Sequence, residues 1–269
     1  MNRLHTSTEE QYRRPITQDL VRGELVRTGG SVAQLYRRIE SGNLLAQLHQ
    51  NWETEFGDLQ GLFADLLANP GQIRRGGRGE GTSSLREING RPYFIKIYTP
   101  RSFRRRLREV VGRHRALREW SRTVRAVDAG VRTAMLVLAM AERKGLNSRN
   151  LIITSPANGV SVSRIFEGYA ESPMDLDELI RLLAAQTVRY HRIGFYHRHL
   201  KATHLFLNEE RTITCIDLEG SIVRRPLPHR LRVDNLRQMR RSLERYDLTR
   251  DRFAQYRQAY EEAWGAPGK

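Results

Sequence analysis

Cysteine is nearly absent, with Cys215 the only one in 269 residues. That excludes an internal disulfide framework, and a lone thiol inside the apolar run TITCIDL reads as a small buried side chain in a reducing compartment. Long apolar runs are missing too. The longest, TAMLVLAMA, is far shorter than the roughly 20 residues that a membrane-spanning helix needs, and the N-terminal MNRLHTSTEEQYRRPITQDL lacks the apolar core of a signal peptide. The expectation is a cytoplasmic protein, with at most peripheral contact on the cytoplasmic membrane face. Acid is also scarce: 30 Asp and Glu stand against 46 Lys and Arg, a formal net charge of +16. Such a chain is drawn to polyanions. The arginines have no aromatic stacking platform beside them and no zinc-finger or single-strand-binding signature, which argues against nucleic acid as the partner.

The base that is present concentrates in PRSFRRRLREVVGRHRALREWSRTVR. Phe103, Leu107, Val110, His114, Leu117 and Val124 recur at steps built from three and four, so Arg101–Arg125 reads as an amphipathic helix with an inward apolar stripe and a basic outer face. That outer face is either simply solvated or a surface for anionic headgroups. Before it, residues 1–70 read as a helical extension, since NLLAQLHQNWETEFGDLQGLFADLLANP has helical spacing and stops at Asn69-Pro70. From Gly71 the texture changes to glycine and β-formers. Asn89-Gly90 is a hairpin signal between SSLREI and RPYFIKIY, and GGRGEG is a second turn one strand earlier. AMLVLAM and NLIITS read as further strands. Residues 157–269 read as mostly helical, with a helix over SPMDLDELIRLLAAQTVRYHRIG capped at Ser172 or Asp175, short strands THLFL and TITCIDL, and two C-terminal helices. The order predicts an α+β fold of two lobes, a small antiparallel sheet lobe over residues 71–156 and a larger helical lobe after it.

Chemistry-bearing residues fall in a recognisable order. Gly76, Gly77, Gly79 and Gly81 can bring backbone N–H groups close to phosphate, although glycine-rich hairpin tips are common. Lys96 lies within an apolar strand and needs a carboxylate, with Glu119 the better candidate and Glu109 the lesser; a snorkelling lysine is the alternative. Asp217 emerges from an apolar strand, where an acid is paired or coordinates a cation. Between them stands YHRHLKATHLFL. A kinase loop reads His-Arg-Asp with an Asn five residues after the Asp; here His197-Arg198-His199 is followed by His204. His191, His197, His199 and His204 also raise a histidine-bound metal, but neither His-Glu-x-x-His nor a cysteine or carboxylate set at zinc spacing accompanies them.

Together these residues resemble the lipopolysaccharide core kinase family, the InaA and WaaP group of kinase-like proteins, over roughly residues 72–225. The resemblance implies a bilobal protein-kinase-like fold, ATP and magnesium as cofactors, and phosphate transfer to a sugar hydroxyl of lipopolysaccharide inner core or a similar anionic glycolipid. By position, Gly76, Gly77, Gly79 and Gly81 would cover the phosphates, and Lys96 would pair with them and with Glu119. Asp217 would hold magnesium, His204 would stand at the loop asparagine, His199 at the catalytic acid, and Lys201 would meet the transferred phosphate. The loop departs from stricter members at His199. A neutral imidazole accepts a proton near pH 7 yet offers no negative charge. The alternative implied is a nucleotide-binding pseudokinase without turnover.

Overall fold

A computed structural model describes residues 24–25, 30–69, 74–75, 81–100, 102–112, 114–246 and 250–265. Its strands are β1 (Glu24–Leu25), β2 (Tyr36–Ser41), β3 (Leu44–His49), β4 (Arg74–Arg75), β5 (Gly81–Ile88), β6 (Arg91–Tyr98), β7 (Thr133–Ala134), β8 (Leu136–Glu142), β9 (Asn150–Thr154), β10 (Val160–Ser161), β11 (Phe195–Tyr196), β12 (Leu205–Leu207), β13 (Ile213–Cys215) and β14 (Ile222–Val223). The helices are α1 (Leu59–Ala68), α2 (Phe103–Val110), α3 (Arg115–Asp128), α4 (Val162–Phe166), α5 (Leu176–Arg192), α6 (His229–Glu244) and α7 (Arg250–Gly265). The α+β architecture expected from the element order is present.

The sheet lobe is an antiparallel sheet in the order β2-β3-β8-β9-β6-β5-β4. Asn89 and Gly90, both at positive φ (52° and 76°), close the β5–β6 hairpin in the left-handed conformation that Asn-Gly favours. Tyr93, Ile95 and Ile97 of β6 are buried in the lobe's core, so the alternation leaves Lys96 on the opposite face.

Residues 36–49 depart from the helical extension expected of residues 1–70. They form the β2–β3 hairpin, turned at Gly42 (φ 57°), and add two strands to the same sheet. A short apolar run such as LLAQLH fits a strand or a buried helix equally well by periodicity. Pairing decides: β3 lies between β2 and β8, with Leu44, Leu45, Ala46, Leu48 and His49 all buried. Among the described residues of that stretch, α1 is the α-helix that keeps the expectation, capped by the Asp58 carboxylate accepting from the Gly61 N–H at 2.9 Å and burying Leu59, Phe63 and Leu66 on one face.

The basic segment likewise departs from a single helix. It breaks at Gly112 (φ 75°) into α2 and α3. His114 and Val124 are buried, but Phe103, Leu107 and Val110 face solvent. The residue α2 buries instead is Glu109, accepting hydrogen bonds from His114 Nδ1 and Asn150 Nδ2, each at 3.1 Å.

The helical lobe packs a second core from α5, α7, β12, β13 and the end of α3, including Ala126, Leu183, Leu205, Cys215 and Tyr256. Asp175 caps α5 by accepting from the Glu178 N–H at 2.6 Å, and Tyr256 of α7 donates to Thr187 of α5 at 2.7 Å. Among the described residues no helix is long and apolar enough to cross a membrane.

Two buried histidines make stability sensitive to acid. Burial lowers both His49, on β3, and His191, on α5, from the ordinary histidine value to about 4. Because the unfolded chain takes up these protons first, stability is complete above about pH 6.5 and falls as pH drops toward 4. Each group should cost about 1 kcal/mol per pH unit in that window. Urea midpoints measured at pH 7 and pH 5 should show the loss, and His49→Gln should flatten the slope; an equal slope in the variant would refute the assignment.

Candidate active site between the lobes

Three distant segments meet at one ammonium. Lys96 Nζ, on β6, donates to Asp217 Oδ1 at 2.7 Å and lies 3.6 Å from Glu119 Oε1 of α3 and 3.5 Å from Glu219 Oε2. Glu119, rather than Glu109, is therefore the lysine's helix partner. Glu119 also accepts from the Tyr98 hydroxyl. Arg115, one helical turn before Glu119, grips Glu219 with Nε to Oε1 at 2.7 Å and Nη2 to Oε2 at 2.8 Å, and its guanidinium lies over the Tyr98 ring, 4.4 Å from the centroid.

The charges in this network are set by competition between burial and partners. Burial works against the Lys96 charge, but Glu119, Asp217 and Glu219 outweigh it and hold the ammonium above the ordinary lysine range. Burial would likewise raise Asp217; Lys96, by its charge and its hydrogen bond, holds it well below the carboxylate range instead. At Glu119 burial wins, joined by Asp217 and Glu219, and its carboxyl is pushed up despite Lys96. Asp217 is thus a firmer anion than Glu119. It also sits at φ 58°, a left-handed conformation that aspartate tolerates and that turns the chain sharply out of β13.

The loop after β11 is built from imidazoles with different tasks. His197 is fully buried: Nε2 donates to the Ile216 carbonyl and Nδ1 accepts from the His199 N–H, both at 3.0 Å. It pins the loop to the strand end carrying Asp217. Burial lowers its pKa to about 4, so it stays neutral. His204 Nδ1 lies 3.0 Å from the His199 carbonyl, which can only accept, so this nitrogen carries the proton and Nε2 offers its lone pair. That lone pair stands 3.7 Å from Asp217 Oδ2. Burial lowers His204 to about 3, so two acceptors face one another at the cleft with no proton between them. His199 itself is exposed, and desolvation together with Arg198 and Lys201 holds it below the ordinary histidine value against the pull of Asp217. Lys201 is exposed on the turn that follows.

Not every expected site residue can be placed. Gly76, Gly77 and Gly79 lie outside the described residues. Gly81 opens β5 opposite Tyr98, where a Cβ would come within 3.2 Å of the Ile97 carbonyl. His191 stands apart from the loop histidines: its Nε2 faces Asn235 Oδ1 at 3.3 Å and its Nδ1 the Tyr260 hydroxyl at 2.8 Å. Among the described residues no group of three or more His, Cys, Asp and Glu is arranged to hold a metal ion.

Residues that the motif leaves unmentioned support the loop from α6. Asn235 Nδ2 donates to the His197 carbonyl at 2.6 Å, Gln238 Oε1 accepts from the Leu200 N–H at 2.6 Å, and Ser242 Oγ accepts from the Ala202 N–H at 2.8 Å. Their spacing of three and four puts all three on one helix face. That polar stripe at helical period is visible in HRLRVDNLRQMRRSLE, though its partner is not.

A lysine and a carboxylate brought together across two lobes, with a histidine-bearing loop beside them, accord with the family comparison: residues 65–260 fit the lipopolysaccharide kinase (Kdo/WaaP) family. The chain belongs to this lipopolysaccharide kinase family. The match extends the 72–225 span of motif resemblance through α6 and α7, the helices that brace the loop and the second core. No curated protein matches the chain. As a member of a kinase family the protein has the expected protein-kinase-like bilobal organisation, with Lys96 from the sheet lobe and Asp217 from the helical lobe.

Asn235, buried between His191 and the His197 carbonyl, should be structurally expensive to lose. Asn235→Ala would strand both, and we expect a stability loss of about 1–3 kcal/mol, read as a lowered urea midpoint; an unchanged midpoint would show that α6 does not support the loop.

Proposed function

We propose that the protein transfers the γ-phosphoryl group of ATP to a sugar hydroxyl of lipopolysaccharide inner core or a similar anionic glycolipid. The observation that carries this reading is the meeting of Lys96, Glu119 and Asp217 within 3.6 Å at the lobe junction. Phosphoryl transfer asks a protein chiefly to clamp phosphates, hold a divalent cation and aim the acceptor. Lys96 clamps the phosphates, exchanging its direct bond to Asp217 for phosphate oxygens while Glu119 keeps it in place. As the family resemblance implies, Gly76, Gly77, Gly79 and Gly81 would cover them with backbone N–H groups. Magnesium, when bound, neutralises charge developing on the phosphate oxygens.

The residues fit such an ion. Asp217 supplies a hard oxygen donor and His204 a lone pair aimed beside it, and a cation relieves the repulsion between those two acceptors. His199 takes the acceptor hydroxyl's proton as the new O–P bond forms and the bond to the departing ADP breaks; Lys201 faces the transferred group. An imidazole below its ordinary pKa is neutral at pH 7 and ready to accept that proton.

A second reading, a nucleotide-binding pseudokinase, is favoured by one observation, the histidine at position 199. Purified protein with labelled ATP, magnesium and core glycolipid separates the two. The kinase reading expects label in the glycolipid, its loss in Asp217→Ala, and a drop of about 10²–10⁴ in His199→Ala. Nucleotide-dependent thermal stabilisation without any transfer, or transfer equal in wild type and Asp217→Ala, would overturn it.

A further inference from the structure

The helix α2 is turned inside out. An amphipathic helix on a globular domain normally buries its apolar stripe, but α2 buries Glu109 and shows its apolar residues to solvent. Phe103 is 69% exposed, Leu107 49%, Val110 48% and Val111, immediately after the helix, 64%. They fall at i, i+4, i+7 and i+8, so they form one stripe rather than scattered exceptions. The adjoining turn Gly145–Asn147 packs against α2 and adds Leu146, 42% exposed. Single exposed apolar side chains are ordinary; a contiguous run on one short helix marks a contact surface.

The inverted orientation is fixed by the fold. Glu109 accepts from His114 and from the fully buried Asn150 of β9, which ties the polar side of the helix to the sheet. Arg106 Nε, on the flank, donates to the Pro100 carbonyl at 3.2 Å. Rolling the stripe inward would expel Glu109 from these bonds.

Charge identifies the occupant. Arginine occupies positions 104, 105, 106 and 108 of α2, Arg104 is exposed, and Arg143 and Lys144 are exposed on the neighbouring turn. Arg143 and Val110 line the same small recess, so cationic and apolar groups share this face. An apolar stripe bordered by cations complements the interface of an anionic bilayer, with acyl chains beneath and phosphates level with Arg104, Arg143 and Lys144. Nucleic acid would match the cations and leave the stripe without a partner.

We infer that α2 and the 145–147 turn form a membrane-docking surface, in which Phe103, Leu107, Val110, Val111 and Leu146 enter the acyl boundary of an anionic bilayer. The inference deepens the proposed reading, whose acceptor is a membrane lipid, by naming the surface that brings the protein to it. Its test uses neither acceptor sugar nor nucleotide, so its failure would leave the phosphotransferase reading standing, and failure of that reading would leave vesicle binding untouched.

The full-length protein should co-sediment with vesicles of phosphatidylcholine and phosphatidylglycerol, and far less with phosphatidylcholine alone. The double variant Phe103→Ser, Val111→Ser should bind at least tenfold more weakly at unchanged net charge, whereas Leu85→Ser, on exposed β5, should bind as wild type does. Thermal midpoints of the variants establish that they fold; should the double variant fail to, Phe103→Trp provides the independent measurement, since its fluorescence should be quenched by brominated acyl chains and that of Leu85→Trp should not. No binding to anionic vesicles, binding indifferent to the double variant, or no quenching of Phe103→Trp would each overturn the inference. So would a dimer in lipid-free sedimentation that the double variant dissolves, since the stripe would then be a contact between copies of this chain.

Discussion

The rest of the structure depends on keeping one ammonium charged where burial works against it. Lys96 lies on a strand whose other face is core, and taking an unpaired ammonium out of water costs several kcal/mol. Its partners arrive from two other segments, Glu119 from α3, and Asp217 with Glu219 from the turn after β13. Neither lobe satisfies the lysine alone. The interaction therefore acts as a clasp between the sheet lobe and the helical lobe, with α3, which contributes to both cores, as the rigid element between them. Buried ion pairs are poor sources of net stability, so a clasp of this kind is better understood as a device that fixes geometry.

That geometry is held by neutral groups as much as by charged ones. His197 joins the loop to the strand end through both ring nitrogens, and Asn235, Gln238 and Ser242 take up the loop's backbone groups one after another. An irregular segment with His197, Leu200 and Ala202 buried must have its buried backbone polar groups satisfied. Helix α6 provides the partners that a regular ladder would otherwise supply, and the loop can then keep a conformation suited to chemistry. Gly194 (φ 80°) and Gly220 (φ 78°) serve the same end: a Cβ at the first would fall 2.5 Å from the Arg224 carbonyl oxygen, and at the second 2.4 Å from Arg198 Cδ.

Local rules made part of this legible. Asn89-Gly90 dictates a hairpin because both positions accept positive φ, and that hairpin fixes which face of β6 carries Lys96. The choice of Glu119 over Glu109 followed from the position of a carboxylate on a helix near that face. What stayed hidden was decided by partners far along the chain. Glu109 is buried because Asn150, 41 residues later, meets it, and that contact turns Phe103 and Leu107 outward against the stripe that periodicity predicts. Leu44–His49 is a strand because β8 pairs with it, and nothing within LLAQLH distinguishes that from a helix. The α6 polar stripe is visible at helical spacing, but the loop it serves lies about 40 residues away.

The distribution of charge gives the last step. The protein carries a formal +16, yet its cleft gathers three carboxylates, Glu119, Asp217 and Glu219, against two cations, Lys96 and Arg115. Around them His197 and His204 are neutral, because burial lowers both far below physiological pH. The innermost part of the cleft is thus richer in carboxylate than the outer surface, with Arg198 and Lys201 at its exposed edge. In the proposed reaction this carboxylate cluster would favour a cation, and the cation would let it accept a polyphosphate that the carboxylates alone would repel. The loop histidines suit this balance. An aspartate at 199 would add a fourth negative charge close to Asp217, whereas an imidazole supplies a proton acceptor without it. In the same proposed reaction the outer basic surface would have the complementary task, drawing an anionic acceptor toward a site whose interior takes the metal and the nucleotide.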